Sequence, residues 1–177
     1  VTRPAPPSRR GEVEAIEAAL RRLRPTARLQ PPATLEGGDV LAIDRTLYVG
    51  ASSRTNRDGF EALEALAAPL GYRVIGVPVR GCLHLKTGCS MIAPATILVN
   101  RDWIDVAPFE GLRVVDLPAE EPWAANALSI GGRLLMHAGH ARTLERVARL
   151  GARVEGVDLS EFLKAEGGPT CLSLLIG

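Results

Sequence analysis

Short apolar runs, separated by glycine, proline or charged residues, recur along the whole sequence. Three segments show the pattern of a strand, a tight turn and a second strand, and they cover residues 37–50, 89–99 and 127–136. In the third, Gly131-Gly132 supplies the positive backbone angles that a two-residue hairpin prefers. A fourth apolar run, residues 170–176, is predicted to be a last β-strand. The runs recur roughly every 40 to 50 residues, which indicates a repeated supersecondary unit.

Helical periodicity fills the stretches between these hairpins. Residues 12–24, 56–70 and 142–150 place apolar side chains three or four positions apart, and we expect Ser8 to cap the first helix and Asn56 the second. Residues 101–111 hold the same place in the repeat, but Pro108 makes them a weak helix. The predicted apolar faces are Val13, Ile16, Leu20 and Leu23, then Phe60, Leu63, Leu66 and Leu70, then Leu144, Val147 and Leu150.

A short apolar strand follows each of the last three helical stretches, at residues 73–77, 114–117 and 153–157. The repeated unit is therefore hairpin, helix, strand, which predicts an α/β fold with parallel neighbouring strands. In this order Val1-Thr2-Arg3 stands where the second hairpin strand of an earlier unit belongs. We therefore expect the sequence to begin inside a module.

Composition and net charge limit the classes of function that the chain can have. The 177 residues suffice for one ordinary domain, and 46% hydrophobic with 23% charged residues is a globular composition. The net charge of +1 favours no nucleic-acid partner, and no apolar run is long enough for a membrane helix. Three cysteines cannot all pair within one chain, so we expect a reduced, cytoplasmic setting. An exposed strand edge could recruit a second copy, which leaves a homo-oligomer open.

Two residues are candidates for covalent and proton-transfer chemistry. Cys171 follows a Gly-Gly-Pro-Thr loop at the start of the last apolar run, where an exposed thiol could act as a nucleophile. The alternative is a small buried strand residue. His84 lies between a strand and a hairpin, where imidazole could serve as general acid and base. The alternative is an ordinary loop histidine.

Charged residues stand at three strand ends. Glu36 and Asp39 enclose Gly37-Gly38, and these carboxylates could orient a histidine or hold a cation, although a polar turn with exposed acids is common. Arg54 and Arg3 stand at equivalent strand-to-helix junctions, where a guanidinium can bind a carboxylate through two hydrogen bonds. The alternative is a solvated surface arginine.

The remaining histidines and cysteines make a weak case for a metal. His137 and His140 flank a turn before the third helix and are interpreted as surface or capping residues. Six residues separate Cys82 from Cys89 and no CxxC pair occurs, so no zinc site is predicted. The glycine pattern is neither GxGxxG nor a Walker loop, so no nucleotide cofactor is expected.

Several motifs, in order, resemble the dimethylarginine dimethylaminohydrolases of the guanidino-group-modifying (pentein) superfamily. The resemblance covers essentially the whole chain, and the His-Leu-Lys and Thr-Cys contexts are its specific parts. The matching segments are Thr2-Arg3-Pro4 with Pro7-Ser8-Arg9-Arg10, residues 35–41, residues 49–56, residues 83–91, Ala124-Ala125-Asn126 and Gly168-Pro169-Thr170-Cys171.

The resemblance implies a propeller of five ββαβ modules around a central site. It further implies that Cys171 is the nucleophile, His84 the general acid and base, and Glu36 the carboxylate that orients His84. The implied reaction converts an Nω-methylated arginine to citrulline and an alkylamine through a covalent thiouronium on the cysteine, without cofactor or metal. The residues implied to bind the substrate are Arg3 and Arg54 at its α-carboxylate and the backbone of Ala165, with Glu166 beside it, at its α-amino group.

The sequence departs from the family pattern at its start. The family begins with a module that carries an Asp and a Phe-x-Glu-Asp element, which hold the guanidinium, and no counterpart follows Val1. We therefore expect residues 1–177 to form a single catalytic domain, an N-terminally incomplete propeller of low stability and little activity. Three alternatives stay open: an arginine deiminase, an amidinotransferase, and a non-catalytic binding protein on the same scaffold.

Overall fold

A computed structural model of the chain describes residues 1–176. These residues divide into two compact units, the first made of residues 1–79 and 83–85 and the second of residues 80–82 and the chain from Lys86 onward. A single catalytic domain stays a prediction. Among the described residues, no helix combines the length and apolar character that crossing a membrane requires.

The helices and strands follow the predicted order of hairpin, connection and strand. In the first half of the chain they are α1 (Glu12–Arg21), β1 (Val40–Ile43), β2 (Thr46–Ala51), α2 (Arg57–Ala67) and β3 (Arg73–Pro78). They continue with α3 (Leu85–Gly88), β4 (Cys89–Ala93), β5 (Thr96–Val99), β6 (Arg113–Asp116), β7 (Leu128–Ile130), β8 (Arg133–His137), α4 (Ala141–Arg149), β9 (Val154–Val157) and α5 (Ser160–Leu163). Short 3-10 turns lie at Pro7–Arg9, Gly37–Asp39, Ala68–Leu70 and Ala107–Phe109.

Three sheets repeat one topology, with strand orders β1-β2-β3, β4-β5-β6 and β7-β8-β9. In each sheet the first two strands form an antiparallel hairpin and the third lies parallel to the second. The connection is α2 in the first sheet and α4 in the third, whereas the second sheet has only the 3-10 turn Ala107–Phe109, because Pro108 disfavours a longer helix. The mixed α/β fold is confirmed; a propeller arrangement of the modules stays a prediction.

Each unit has its own apolar core. In the first unit Leu29, Leu35 and Val49 are buried, and Phe60 and Leu63 of α2 pack against them. The second unit shares one core between its two sheets, because strands of both and helix α4 contribute to it. Its buried members are Ile92, Leu98, Ala127, Leu134, Met136 and Val147, with Leu144 and Leu150 packed against them as predicted.

Two of the predicted apolar faces are partly wrong. In α1, Val13 is buried, but Ile16 is 48% exposed and Leu23 lies beyond the last helical residue. In α2, Leu66 is exposed although it lies within the helix, and Leu70 is exposed because the helix ends at Ala67 and a 3-10 turn containing Pro69 changes the helical phase.

Of the two predicted helix caps, one is confirmed and one is wrong. Asn56 caps α2, since its side chain accepts a hydrogen bond from Gly59 N at 2.8 Å. Ser8 is not a cap: it lies within the 3-10 turn, and the residue that precedes α1 is Gly11.

The predicted last strand is wrong. Thr170 to Leu172 lie in a turn, and residues 173–176 have no regular structure. Leu172, Leu174 and Leu175 are exposed. A strand requires a neighbour for its backbone N–H and C=O groups, and none of the described residues forms a β-ladder with this segment.

Candidate active site

The first unit places Glu36 at the entrance to β1, directly before the 3-10 turn Gly37–Asp39. Its predecessor Leu35 is buried and forms an isolated antiparallel bridge with Arg3, in which Leu35 N donates to Arg3 O at 3.0 Å. Glu36 itself is only 6% exposed. The carboxylate is therefore held in a fixed, largely dry position.

Three cationic or ionisable side chains surround this carboxylate. His84 Nε2 lies 2.8 Å from Oε2 of Glu36, and Arg9 donates to the same oxygen at 3.1 Å. Arg54 lies 3.8 Å from the other oxygen, Oε1, which is buried and accepts no hydrogen bond from any described residue. A buried carboxylate is stabilised by such neighbours, because they offset the cost of removing its charge from water.

The geometry fixes how His84 can exchange a proton. A carboxylate only accepts hydrogen bonds, so Nε2 must carry the hydrogen in the bond to Glu36. In the neutral ring Nδ1 is then the basic nitrogen, and it is the one that can take up or release a proton. This arrangement suits a general acid and base.

Gly38 lets the imidazole ring of His84 approach the backbone. A Cβ at this position would lie 2.6 Å from Cγ and 2.9 Å from Nδ1 of His84. At Gly37 a Cβ would meet no atom within 4 Å. Of the two glycines in the motif, only Gly38 is required by packing against the histidine.

Asp39 neither orients a histidine nor has an oxygen free to bind a cation, so for this acid the predicted role is wrong. It is completely buried, and its carboxylate accepts from Ser52 Oγ at 2.6 Å, from Thr55 Oγ1 at 2.7 Å and from the backbone N of Leu85 at 3.0 Å. Protein donors thus occupy both oxygens. Asp39 connects the segment around Arg54 to the residue that follows His84.

The three arginines of this unit differ in their surroundings. Arg54 is a quarter exposed beside Glu36, and its backbone N donates to Ser52 Oγ. Arg3 donates from its guanidinium to Ala33 O at 3.1 Å. The contact of Arg9 with Glu36 was missed by residue-level reasoning, because 27 residues separate the two and only a motif match drew attention to Arg9.

The second unit places Cys171 in a turn, not on a strand. The backbone N of Cys171 donates to Gly168 O at 3.0 Å, which closes the turn Gly168–Cys171 around Pro169. Cys171 is exposed, so the alternative of a buried strand residue is wrong. Cys89, in contrast, is buried in β4, and this burial raises the pKa of its thiol far above the ordinary value. Asn126 lies against the turn of Cys171, with its Nδ2 atom 3.8 Å from Sγ.

Ala165 follows α5, and its backbone N donates to Phe162 O at 3.0 Å. An amino group needs an acceptor, so the carbonyl of Ala165 is the backbone group that could meet one. The next residue, Glu166, has a positive φ of 58°, which L-residues other than Asn and Asp adopt infrequently.

His137 and His140 are half-buried, and neither caps α4. His140 precedes the helix, but its side chain makes no cap, and burial followed by the proximity of His137 lowers its pKa. His137 Nδ1 accepts from Leu159 N at 3.0 Å. The capping acceptor is Glu121, whose carboxylate receives Arg142 N and both N and Oγ1 of Thr143.

Known proteins are similar to this chain in both sequence and architecture. A family model described as N,N dimethylarginine dimethylhydrolase, eukaryotic, matches residues 15–118. The N(G),N(G)-dimethylarginine dimethylaminohydrolase of Pseudomonas aeruginosa is 38% identical over 176 residues, which cover 98% of this chain and 69% of that protein. The protein of the same name from Streptomyces coelicolor is 42% identical over 176 residues, covering 98% of this chain and 67% of that protein.

A solved structure agrees with the sequence comparisons. A mutant dimethylarginine dimethylaminohydrolase from Pseudomonas aeruginosa, complexed with citrulline, matches with a TM-score of 0.90 at 36% identity and covers 97% of this chain and 68% of that one. The family model spans more than half of this chain, and the chain covers more than two thirds of a relative that is 38% identical. The chain belongs to the dimethylarginine dimethylaminohydrolase family, as its motifs predicted.

Proposed function

We propose that the chain hydrolyses an Nω-methylated arginine to citrulline and methylamine or dimethylamine. The observation that carries this proposal is the buried Glu36 carboxylate 2.8 Å from Nε2 of His84, a pair suited to proton transfer at Nδ1. Family membership supports the substrate class, and the exposed thiol of Cys171 supports covalent chemistry.

The reaction follows from the chemistry of these side chains. The Cys171 thiolate attacks the central guanidinium carbon and forms a C–S bond. The bond to the methylated nitrogen then breaks as His84 gives its Nδ1 proton to the departing amine, and a thiouronium remains on the cysteine. Neutral His84 next takes a proton from water, whose oxygen attacks the same carbon. The C–S bond breaks and restores the thiolate, the proton remaining on the attacking oxygen passes to solvent, and citrulline leaves.

Glu36 contributes by holding the ring of His84 and by fixing its Nε2–H tautomer, so that Nδ1 exchanges the proton in both steps. Arg54 and Arg3 are proposed to bind the α-carboxylate of the substrate, because a guanidinium offers paired N–H donors that match a carboxylate. The carbonyl of Ala165 is proposed to accept from the α-amino group. A propeller arrangement of the modules and a reduced, cytoplasmic setting belong to the same proposal.

The test is citrulline formation by the purified 177-residue chain with asymmetric dimethylarginine. Because the sequence predicts a low rate, citrulline is measured as an end point at high protein concentration. We expect citrulline from the wild-type chain and none from Cys171→Ser. Citrulline that persists in Cys171→Ser, or its absence from a folded wild-type chain, would contradict the proposal. Faster turnover of arginine than of dimethylarginine would favour the deiminase alternative.

A further inference from the structure

Asn126 occupies a rigid position in the second unit. It is 8% exposed and stands between residues that are themselves buried, Ala125 and Ala127. The backbone immediately after it is fixed, since Ala127 N donates to the buried hydroxyl of Ser90 at 3.0 Å. The amide side chain of Asn126 therefore has few hydrogen-bond partners within reach.

Both ends of this amide are directed at consecutive residues of the turn that carries the thiol. Its Oδ1 accepts from Thr170 N at 3.2 Å and from Thr170 Oγ1 at 3.0 Å. Its Nδ2 points to Cys171 Sγ at 3.8 Å, a distance suited to an N–H···S hydrogen bond. A primary amide carries an acceptor at one end and donors at the other, so a single side chain performs both tasks.

The turn is shaped around the amide. A Cβ on Gly168 would lie 2.4 Å from Cγ and from Nδ2 of Asn126, so only glycine leaves space for the side chain. Gly168 O in turn accepts from Cys171 N and sets the position of the cysteine. Contacts this close leave the sulfur and the amide nitrogen facing each other as long as the turn is intact.

We propose that Asn126 is the positioning residue of Cys171. Its carbonyl oxygen fixes the turn through Thr170, and its N–H donates to the sulfur in the thiolate form. A donor strengthens its bond when the acceptor becomes charged, so the thiolate gains more from this contact than the neutral thiol. The inference rests on the proposed function, in which Cys171 is the nucleophile.

The test measures alkylation of Cys171 by iodoacetamide, in which the thiolate sulfur bonds to the CH₂ carbon and iodide leaves. Peptide mass spectrometry separates Cys171 from Cys82 and Cys89, and the rate is followed from mildly acidic to mildly alkaline pH. No substrate or turnover is required. Asn126→Ala removes both ends of the amide. Thr170→Val is the matched control, because it removes one anchor of the turn and leaves Nδ2 beside the sulfur.

We expect Asn126→Ala to move the midpoint of the alkylation profile upward by about one pH unit and to lower the rate at neutral pH about tenfold. Thr170→Val is expected to keep the wild-type midpoint. If Asn126 only anchored the turn, both variants would change the accessibility of Cys171. Neither variant would then change the midpoint pH of alkylation. An unchanged midpoint in Asn126→Ala would overturn the inference.

A second variant decides the question if Asn126→Ala does not fold. Asn126→Asp keeps an acceptor for Thr170 and replaces the donor beside the sulfur with a negative oxygen, so its midpoint must rise further. If this variant also reacts with the wild-type profile, the inference is wrong. Failure of the proposed function is separate: it would appear as no citrulline from the folded wild-type chain, whatever the alkylation profiles show.

Discussion

His84 Nε2 lies 2.8 Å from the buried Oε2 of Glu36, and this contact determines which ring nitrogen carries the hydrogen. The carboxylate cannot donate, so the neutral ring must be the Nε2–H tautomer with a basic Nδ1. Arg9 and Arg54 stand beside the same carboxylate. Glu36 therefore fixes the tautomer of the His84 ring, while the arginines hold the carboxylate in position.

Replacing Glu36 with glutamine tests this relationship. Glutamine preserves shape but removes the charge, so we expect citrulline formation to fall about 100-fold. Nitrogen NMR of the imidazole is expected to show the Nε2–H tautomer in the neutral wild-type ring and to lose that preference in Glu36→Leu, which removes the acceptor. Glu64→Gln, on the exposed face of α2, is the control and should leave both readings unchanged. A wild-type tautomer population in Glu36→Leu would contradict the assigned role.

The two glycines between Glu36 and Asp39 allow a second test, in which the same substitution is made at adjacent positions. Gly38→Ala would place a Cβ 2.6 Å from the ring of His84, so the imidazole must move away from Glu36. We expect a loss of activity of about 100-fold, the scale of a misplaced catalytic group. Gly37→Ala meets no atom within 4 Å and should stay within about twofold of wild type. Equal effects of the two substitutions on the rate of citrulline formation would rule out this packing argument.

Asp39 predicts an effect on stability that requires no turnover. Asp39→Ala leaves two hydroxyls and the N–H of Leu85 without their acceptor, and we expect a loss of about 3 kcal/mol or more in the free energy of unfolding. Asp39→Asn should cost less, because hydroxyls can also accept and could turn toward the amide. Urea denaturation of both, beside Glu64→Ala as the exposed acidic control, checks the order. Similar stability of Asp39→Ala and Glu64→Ala would show that the network contributes little.

Local signals were sufficient for much of the fold. Gly131 and Gly132 adopt φ values of 57° and 73°, as the predicted tight turn requires, and Asn56 caps α2 through its own side chain. Both features depend on residues within three positions of each other. The hairpins, their parallel third strands and the weak helix before β6 followed from such short-range patterns.

Contacts over long sequence separations could not be predicted in this way. Leu85 N reaches Asp39 over 46 residues and Arg9 reaches Glu36 over 27, and no periodicity encodes either pair. The error at residues 170–176 has a related cause, because an apolar run becomes a strand only where another strand supplies hydrogen bonds. The motif match placed Glu36, His84 and Cys171 among the candidates, but only coordinates could show that Asn126 faces Cys171.

Glu121 gives the last prediction, which concerns acid stability. Its carboxylate caps α4 by accepting from Arg142 N, Thr143 N and Thr143 Oγ1. Burial opposes ionisation, but the Thr143 hydroxyl and the two backbone donors outweigh it and hold the pKa of Glu121 below its ordinary 4.5. The folded chain therefore releases this proton more readily than the unfolded chain. The stabilisation is complete above the unfolded pKa and is lost as the pH falls through the folded pKa.

We accordingly expect Glu121→Gln to lower the free energy of unfolding by about 1 kcal/mol at neutral pH, a modest value because the carboxylate is only partly buried and solvent screens it. The difference from wild type should shrink as the pH falls below about 4.5, since protonated Glu121 resembles glutamine. Burial and His137 lower the pKa of His140 whereas Glu121 raises it, so the two chains are compared in a His140→Asn background that removes the contribution of this histidine. Glu120→Gln, which removes only an exposed pair with Arg142, is the control for charge alone. Urea melts at a series of pH values check the prediction, and a difference that stays constant into acid would refute the capping role of the carboxylate.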